Sequence, residues 1–333
     1  MIKKPIKFSG VGIHSGVVAN VVIRPARAKG IFFKRVDLHD AELIPALWNH
    51  VQNTGLLSTS IGKAPNQVQT IEHFMAALFL CGIDSAIVEI DGPEFPILDG
   101  GAQQFIKLIS KNVDTKAKNK IKKIVVKKEI IATRQEIIKQ MPVINRFALW
   151  IHGLKTGRKE DGFVKLSPES CGFLMDITLD YPDAVIGKQK FEFVFDMSES
   201  SKLKFKKHIA KCRTFGRLWE WEYLKKRGMG RGATPENVIV LMNGYEDWDK
   251  LKQSGYNEKD LKKLLKNHGA QTLTPLYYPD EFVRHKLIDA LGDFYTSGGM
   301  IVGKLESYKG SHGLNNLVLK KLFSDPANYD IID

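Results

Sequence analysis

The chain has 333 residues, 50 Lys and Arg against 37 Asp and Glu, and a formal net charge of +13. Its 43% hydrophobic, 10% aromatic and 26% charged composition fits a globular protein of about two domains and excludes disorder or collagen-like repeats. Three scattered cysteines (Cys81, Cys171, Cys212) without a CxxC exclude a disulfide framework, a cysteine zinc site and a thioredoxin-type centre, and are expected as reduced, buried thiols.

The N-terminus, MIKKPIKFSGVGIHSG, has basic residues but no apolar run behind them, so no secretory signal is expected there. The longest wholly apolar stretch falls within residues 74–81, far short of a membrane span, and the expected location is the cytoplasm. Residues 19–25 and 31–36 alternate in strand fashion. Residues 70–80 (TIEHFMAALFL) are apolar nearly all round, which predicts a buried helix with Thr70 as N-cap, stopping at Gly82. Residues 86–90 read as a short buried strand, and 102–109 as a second helix.

The composition then changes. Residues 112–123 (NVDTKAKNKIKK) are almost without apolar side chains and form the candidate linker. The expected division is a domain at 1–114, a linker at 115–123 and a second domain at 124–333. Strands are expected at 124–126, 173–179 and 191–195, and helices at 217–226 and 281–295. Residues 135–157 and 247–269 read as insertions, the first containing an apolar patch, FALWI, that could pack on the second domain or touch a membrane weakly. The lysine runs at 116–128, 202–211 and 259–266 read as solvated faces, and none sits in a nucleic-acid motif.

Three polar constellations carry chemistry. In DEFVRHKLIDALGDFY, Asp280 is the expected N-cap, and His285, Asp289 and Asp293 follow at i, i+4, i+8. Each step of four drifts only about 40° around a helix, so all three share a face. An imidazole and a carboxylate at i, i+4 can hold one metal ion; the alternative is a solvated polar stripe. Glu72 and His73 interrupt the apolar helix, which is costly unless they are paired, metal-bound or at a helix mouth open to water. His312 lies in a Gly-flanked loop, KGSHGLNN, either plain surface or, near a metal, a general acid. Two His and one Asp from separate segments would leave a metal with an open position, as hydrolytic zinc has. This pattern supports metal-assisted amide or ester hydrolysis without identifying the substrate.

FSGVGIHSG, QTIEHFMAAL, VEIDGPEFPILDG, CRTFG, DEFVRHKLIDALGD and SHGLNN stand together in the order of one family. The chain resembles the UDP-3-O-acyl-N-acetylglucosamine deacetylases, the zinc amidases of the committed step of lipid A synthesis in Gram-negative bacteria. The resemblance implies an α+β fold of two sheet-on-helix sandwiches with the active site between them. It implies His73, His285 and Asp289 as ligands of Zn2+, a set that also accepts Fe2+. Glu72 would be the general base, His312 the general acid tuned by Asp293, and Thr214 an oxyanion donor beside the metal. Lys286 would face the substrate's diphosphate. Phe215, Gly216, Leu218 and Leu224, with Trp221, would contact substrate or line an acyl passage in the 217–240 region. GLLSTS (55–60) replaces a family stretch that carries Arg and often Cys; Leu57 takes that position, so no thiol is expected against the metal. The expected partner is a UDP-linked acylated amino sugar, not nucleic acid, and the expected state a monomer. Two other readings remain open: an inactive relative used as a scaffold, and a basic nucleic-acid-binding protein, which explains only the charge.

Overall fold

A computed structural model describes residues 2–52, 57–113, 121–140, 161–182, 185–242 and 272–332, with residues 247 and 259. Most of the insertion at 135–157, including FALWI, and all of that at 247–269 but two residues lie outside the described residues.

The fold is α+β. Alternating side chains build a first sheet from β1 (Ile6–Val11), β2 (Val18–Pro25), β3 (Gly30–Arg35) and β4 (Ile44–Pro45). Short strands β5 (Val51–Gln52), β6 (Ser60–Lys63) and β7 (Asn66–Val68) form a separate three-stranded ribbon. Helix α1 (Glu72–Leu80) leads to β8 (Ser85–Ile90), which inserts into the first sheet to give the order β1-β2-β8-β3-β4, with β8 parallel to β3. Helix α2 (Gln103–Ser110) follows, with Phe105, Ile106 and Ile109 turned inward.

The second sheet begins at β9 (Lys123–Val126) and β10 (Ile130–Thr133), after which comes α3 (Arg134–Gln140). It continues through β11 (Phe163–Ser167), β12 (Phe173–Asp180) and β13 (Lys188–Phe195). Helix α4 (Glu199–His208) leaves Leu203, Lys204 and Lys207 exposed while Phe205 is buried, the solvated basic face expected of that run. Strand β14 (Thr214–Arg217), helix α5 (Leu218–Lys226) and strand β15 (Val238–Leu241) then form a small βαβ unit with parallel strands. Helix α6 (Glu281–Tyr295), strand β16 (Met300–Tyr308), helix α7 (His312–Phe323) and strand β17 (Tyr329–Ile332) complete the chain. The second sheet runs β10-β11-β16-β12-β13, with β9 and β17 joined beside β16.

One continuous apolar core joins both sheets. On one side of α1, Phe74 packs on Phe95 at 4.4 Å between ring centroids, with Phe33 and Phe105 around it. On the other side, Phe79 meets Tyr295 of α6 at 5.0 Å and Phe195 of β13 at 4.9 Å. This accounts for α1 being apolar all round: a helix with neighbours on every side has no solvent face to keep polar. Truncating Phe74 or Phe79 to Ala would cost about 3–5 kcal/mol, the usual range for a buried aromatic.

The structure corrects several local expectations. Thr70 is not the cap of α1: Ile71 holds that position, and the Thr70 hydroxyl donates to Glu94 instead at 3.1 Å. Asp280 makes no capping bond; its carboxylate accepts from Arg284 Nε at 2.7 Å. Cys171 is exposed and Cys81 half-buried, so only Cys212 fits the expectation of a buried thiol. His312 is not in a loop but is the first residue of α7, capped by Ser311. Among the described residues no helix is long and apolar enough to cross a membrane.

Candidate active site

Helices α1, α6 and α7 bring their polar residues to one buried place. Glu72, His73, His285, Asp289, Asp293 and His312 are each at most 9% exposed. The i, i+4, i+8 stripe of α6 therefore faces inward, not to solvent. Gly292 permits this: a Cβ there would stand 1.9 Å from the Glu72 carbonyl oxygen, so α1 and α6 touch backbone to backbone beside the site.

His73 Nε2 lies 3.1 Å and His285 Nε2 3.2 Å from the same oxygen, Asp289 Oδ1. The potential ligand atoms of these three residues fall within 4.8 Å of one another. His285 Nδ1 sits 3.0 Å from the Cys212 carbonyl, which fixes the proton on Nδ1 and turns Nε2 inward. That is how backbone carbonyls orient metal-binding imidazoles. Burial and the nearby His285 hold the His73 imidazole below its ordinary pKa, so it stays neutral. Burial opposes ionisation of Asp289, but His285 and Lys286 overcome it and hold the carboxyl well below its usual range. Two imidazole nitrogens and a carboxylate suit a divalent transition metal.

The carbonyl of Cys212 is itself braced. Arg213 donates from its backbone N–H at 3.0 Å and its Nε at 3.1 Å to Glu281, which is wholly buried at the start of α6. CRTFG and DEFVRH are thus tied to each other twice, by Arg213–Glu281 and by Cys212–His285.

Glu72 lies beside the three candidate ligands. Its Oε2 accepts the Thr59 N–H at 3.0 Å. Burial, reinforced by Asp289 and Asp293 and opposed by His312, raises its carboxyl to about 7. His312 Nδ1 is 2.8 Å from Asp293 Oδ2, which also accepts Asn315 Nδ2 at 2.8 Å. Burial works against the imidazolium, but the charge and hydrogen bond of Asp293, with Glu72, lift His312 to about 9. Asp293 wins over the positive end of α7, which would otherwise disfavour the cation.

The other expected residues are less central. Lys286 Nζ lies on Asp289 Oδ2 at 2.7 Å. Phe215 packs edge-on to Phe282 at 5.1 Å and to His285 at 6.2 Å, and a Cβ on Gly216 would meet open space. Thr214 N–H donates to the Gly100 carbonyl at 2.9 Å. Leu218 is buried with Ile13, Ile97, Val238, Val240, Met242 and Leu273, while Leu224 is half-buried beside Gly230. Leu57 is 49% exposed; among the described residues of its segment, Thr59 reaches the site, with its hydroxyl on Asp293.

Residues passed over in the sequence have structural work. Glu94 accepts the N–H groups of His14 and Ser15 and the Thr70 hydroxyl, tying GVGIHSG to the entrance of α1. Thr59, Arg213 and Asn315 all lay within or beside noted motifs, but only their motif membership hinted at a role.

Two imidazoles and a carboxylate around one point, with a second carboxylate beside them and a His–Asp pair close by, equip a protein for metal-assisted hydrolysis. A family model described as LpxC, UDP-3-O-acyl N-acetylglycosamine deacetylase, matches residues 1–258 and 244–324. A protein of Pasteurella multocida (strain Pm70) named UDP-3-O-acyl-N-acetylglucosamine deacetylase is 32% identical over 334 residues, 99% of this chain and 92% of its own. Relatives with the same name from Teredinibacter turnerae (strain ATCC 39867 / T7901) and Histophilus somni (strain 129Pt) are each 32% identical over 335 residues, again 99% of this chain and 92% of their own. The chain belongs to the LpxC family of deacetylases.

Proposed function

We propose that the protein hydrolyses the N-acetyl amide of UDP-3-O-acyl-N-acetylglucosamine, giving UDP-3-O-acyl-glucosamine and acetate, the committed step of lipid A synthesis in a Gram-negative bacterium. The observation that carries this reading is the meeting of Glu72 and His73 from α1 with His285, Asp289 and Asp293 from α6 and His312 from α7. His73, His285 and Asp289 would hold the metal, Zn2+ or, with the same donors, Fe2+. When bound, the ion supplies Lewis acidity to the amide carbonyl and to the attacking water.

Glu72 takes a proton from that water as it attacks the carbonyl carbon. Its carboxyl, raised to about 7, matches that work near neutral pH. His312 uses Nδ1 on Asp293 and keeps Nε2 for the leaving nitrogen, to which it delivers a proton as the C–N bond breaks. Thr214 helps stabilise the developing oxyanion. Lys286, beside the ligands, binds the diphosphate, and Phe215, Gly216, Leu218 and Leu224 border the sugar and the acyl chain. The βαβ unit of β14, α5 and β15 corresponds to the region assigned to the acyl passage.

The domain division at 1–114 and 124–333, joined through 115–123, is supported by the two sheets having no strand in common. We read the protein as a cytoplasmic monomer meeting the membrane weakly at most. Full occupancy of the six central positions by working residue types weighs against an inactive scaffold, and the absence of any nucleic-acid motif in the sequence weighs against nucleic-acid binding.

The test is acetate release from purified protein, before and after chelation and metal restoration. Metal-restorable release is expected, together with loss of most turnover but not of metal in Glu72→Gln. No release by folded, metal-replete protein across several acyl lengths would remove this reading.

A further inference from the structure

Thr59 sits just before β6 and is 3% exposed. Its carbonyl accepts the Ile71 N–H at 3.3 Å, pinning its backbone to the entrance of α1. Its own N–H goes to Glu72 Oε2 at 3.0 Å. Its Oγ1 lies 2.5 Å from Asp293 Oδ1 and 3.2 Å from His312 Nδ1. One residue therefore touches the carboxylate on α1, the carboxylate on α6 and the imidazole on α7.

The protons can be assigned. Thr59 has a single hydroxyl hydrogen, and the carboxylate accepts while it cannot donate, so that hydrogen goes to Asp293 at the shorter distance. The contact with His312 must then be made by an imidazole Nδ1–H shared between Asp293 Oδ2 at 2.8 Å and Thr59 Oγ1 at 3.2 Å. Thr59 accepts with one lone pair while donating its hydrogen. This arrangement fixes both the tautomer and the ring plane of His312, leaving Nε2 turned from Asp293.

We propose that Thr59 is a positioning residue for the reaction, holding the Glu72 carboxylate through its backbone and the Asp293–His312 pair through its hydroxyl in one register. The proposal rests on the deacetylase reading above for its kinetic consequence, but the proton arrangement stands without it. A threonine that only filled space would be replaced by valine, its near-isostere, at little cost to turnover. A positioning threonine would not.

Thr59→Val keeps the N–H and removes the hydroxyl; Thr59→Ser keeps both. In metal-replete protein, Thr59→Val should lower kcat by about 10–100-fold with KM unchanged, the scale on which outer hydrogen-bond partners act. Thr59→Ser should recover kcat to within about threefold. In an Asp293→Asn background, adding Thr59→Val should cost less than about threefold more, because interacting residues are not additive. A second readout is independent of turnover: the downfield imidazole N–H resonance of His312, assigned by its loss in His312→Gln. It should be present in the wild type and Thr59→Ser, and shifted or broadened in Thr59→Val. Should valine block folding, Thr59→Ala, which only removes atoms, is read in the same two ways.

Unchanged kcat and an unmoved resonance in Thr59→Val would overturn the proposal. So would a loss that serine fails to restore, or one that is undiminished in the Asp293→Asn background. If the wild type releases no acetate, the deacetylase reading falls, and the resonance alone decides for or against Thr59.

Discussion

Gly292 of α6 lies against the backbone of Glu72 of α1, so close that a Cβ on the glycine would stand 1.9 Å from the Glu72 carbonyl oxygen. The oxygen is backbone, so no side chain can swing aside to make room. A glycine inside a helix costs about 1 kcal/mol against alanine in propensity, and the close crossing offsets it. Each helix delivers part of the site: Glu72 and His73 on one, His285, Asp289 and Asp293 on the other. Gly292→Ala should push them apart. We expect a loss of roughly 1–3 kcal/mol from overpacking, read as a lower denaturation midpoint, with a fall in metal affinity in the protein that still folds. Wild-type stability and metal content in that variant would show that the crossing can relax.

The same crossing explains what the sequence disclosed and what it hid. Helical spacing exposed α6 and its i, i+4, i+8 stripe, because apolar residues at Phe282, Val283, Leu287, Ala290, Leu291 and Phe294 set the period. Whether that stripe met water or metal depended on α1, which packs on it from some 200 residues earlier; the Tyr295 hydroxyl, for example, reaches the Ile83 carbonyl across 212 positions. Thr70 looked like a cap because local pattern favours that, yet a nonlocal partner, Glu94, takes its hydroxyl. Thr59 had no local signal at all: its hydroxyl meets Asp293 across 234 residues, and its bond to Glu72 is made by a backbone N–H that any residue but proline carries. Local period is written in the chain, whereas long-range hydrogen bonding is written in the packing.

The His312–Asp293 pair predicts a pH dependence. Folding lifts His312 from the ordinary 6.5 to about 9, so the folded protein holds the proton that the unfolded chain has released between those values. The stabilisation is complete below about pH 6.5 and is lost as pH rises through about 9. As the proposed general acid, His312 should also set the basic limb of the rate near that higher value. Asp293→Asn removes the charge that opposes burial, so both effects should move to lower pH. Rate profiles and denaturation midpoints of the two proteins across the alkaline range would check this; a basic limb unmoved by Asp293→Asn would assign it to another group.

The buried pair Arg213–Glu281 predicts an effect on the metal from residues that do not touch it. Glu281 is wholly buried and accepts from the backbone N–H, Nε and Nη2 of Arg213, and Arg213 follows Cys212, whose carbonyl orients His285. Breaking a buried pair by removing one partner typically costs about 3–5 kcal/mol, because the other charge is left uncompensated. Glu281→Gln keeps shape and part of the hydrogen bonding, so it should cost less than Arg213→Met. In both variants metal affinity should fall with stability, by roughly 10–100-fold where an imidazole loses its orienting partner. Metal titration of the folded variants checks this. Wild-type affinity in a destabilised Arg213→Met would confine the pair to folding alone.

Metal removal should be legible without any substrate. An ion that binds the folded site and not the unfolded chain adds about 2.7 kcal/mol at a free concentration one hundred times its dissociation constant. The candidate ligands come from helices far apart in sequence, His73 on α1 with His285 and Asp289 on α6, so the ion would tie α1 to α6. Asp289 Oδ1 lies within 3.2 Å of Nε2 of both imidazoles, so the three donor atoms already converge on one point. Adding Zn2+ to chelated protein should therefore raise its thermal midpoint, with a smaller rise in His73→Gln and Asp289→Asn. An equal rise in the wild type and both variants would locate the ion elsewhere on the protein.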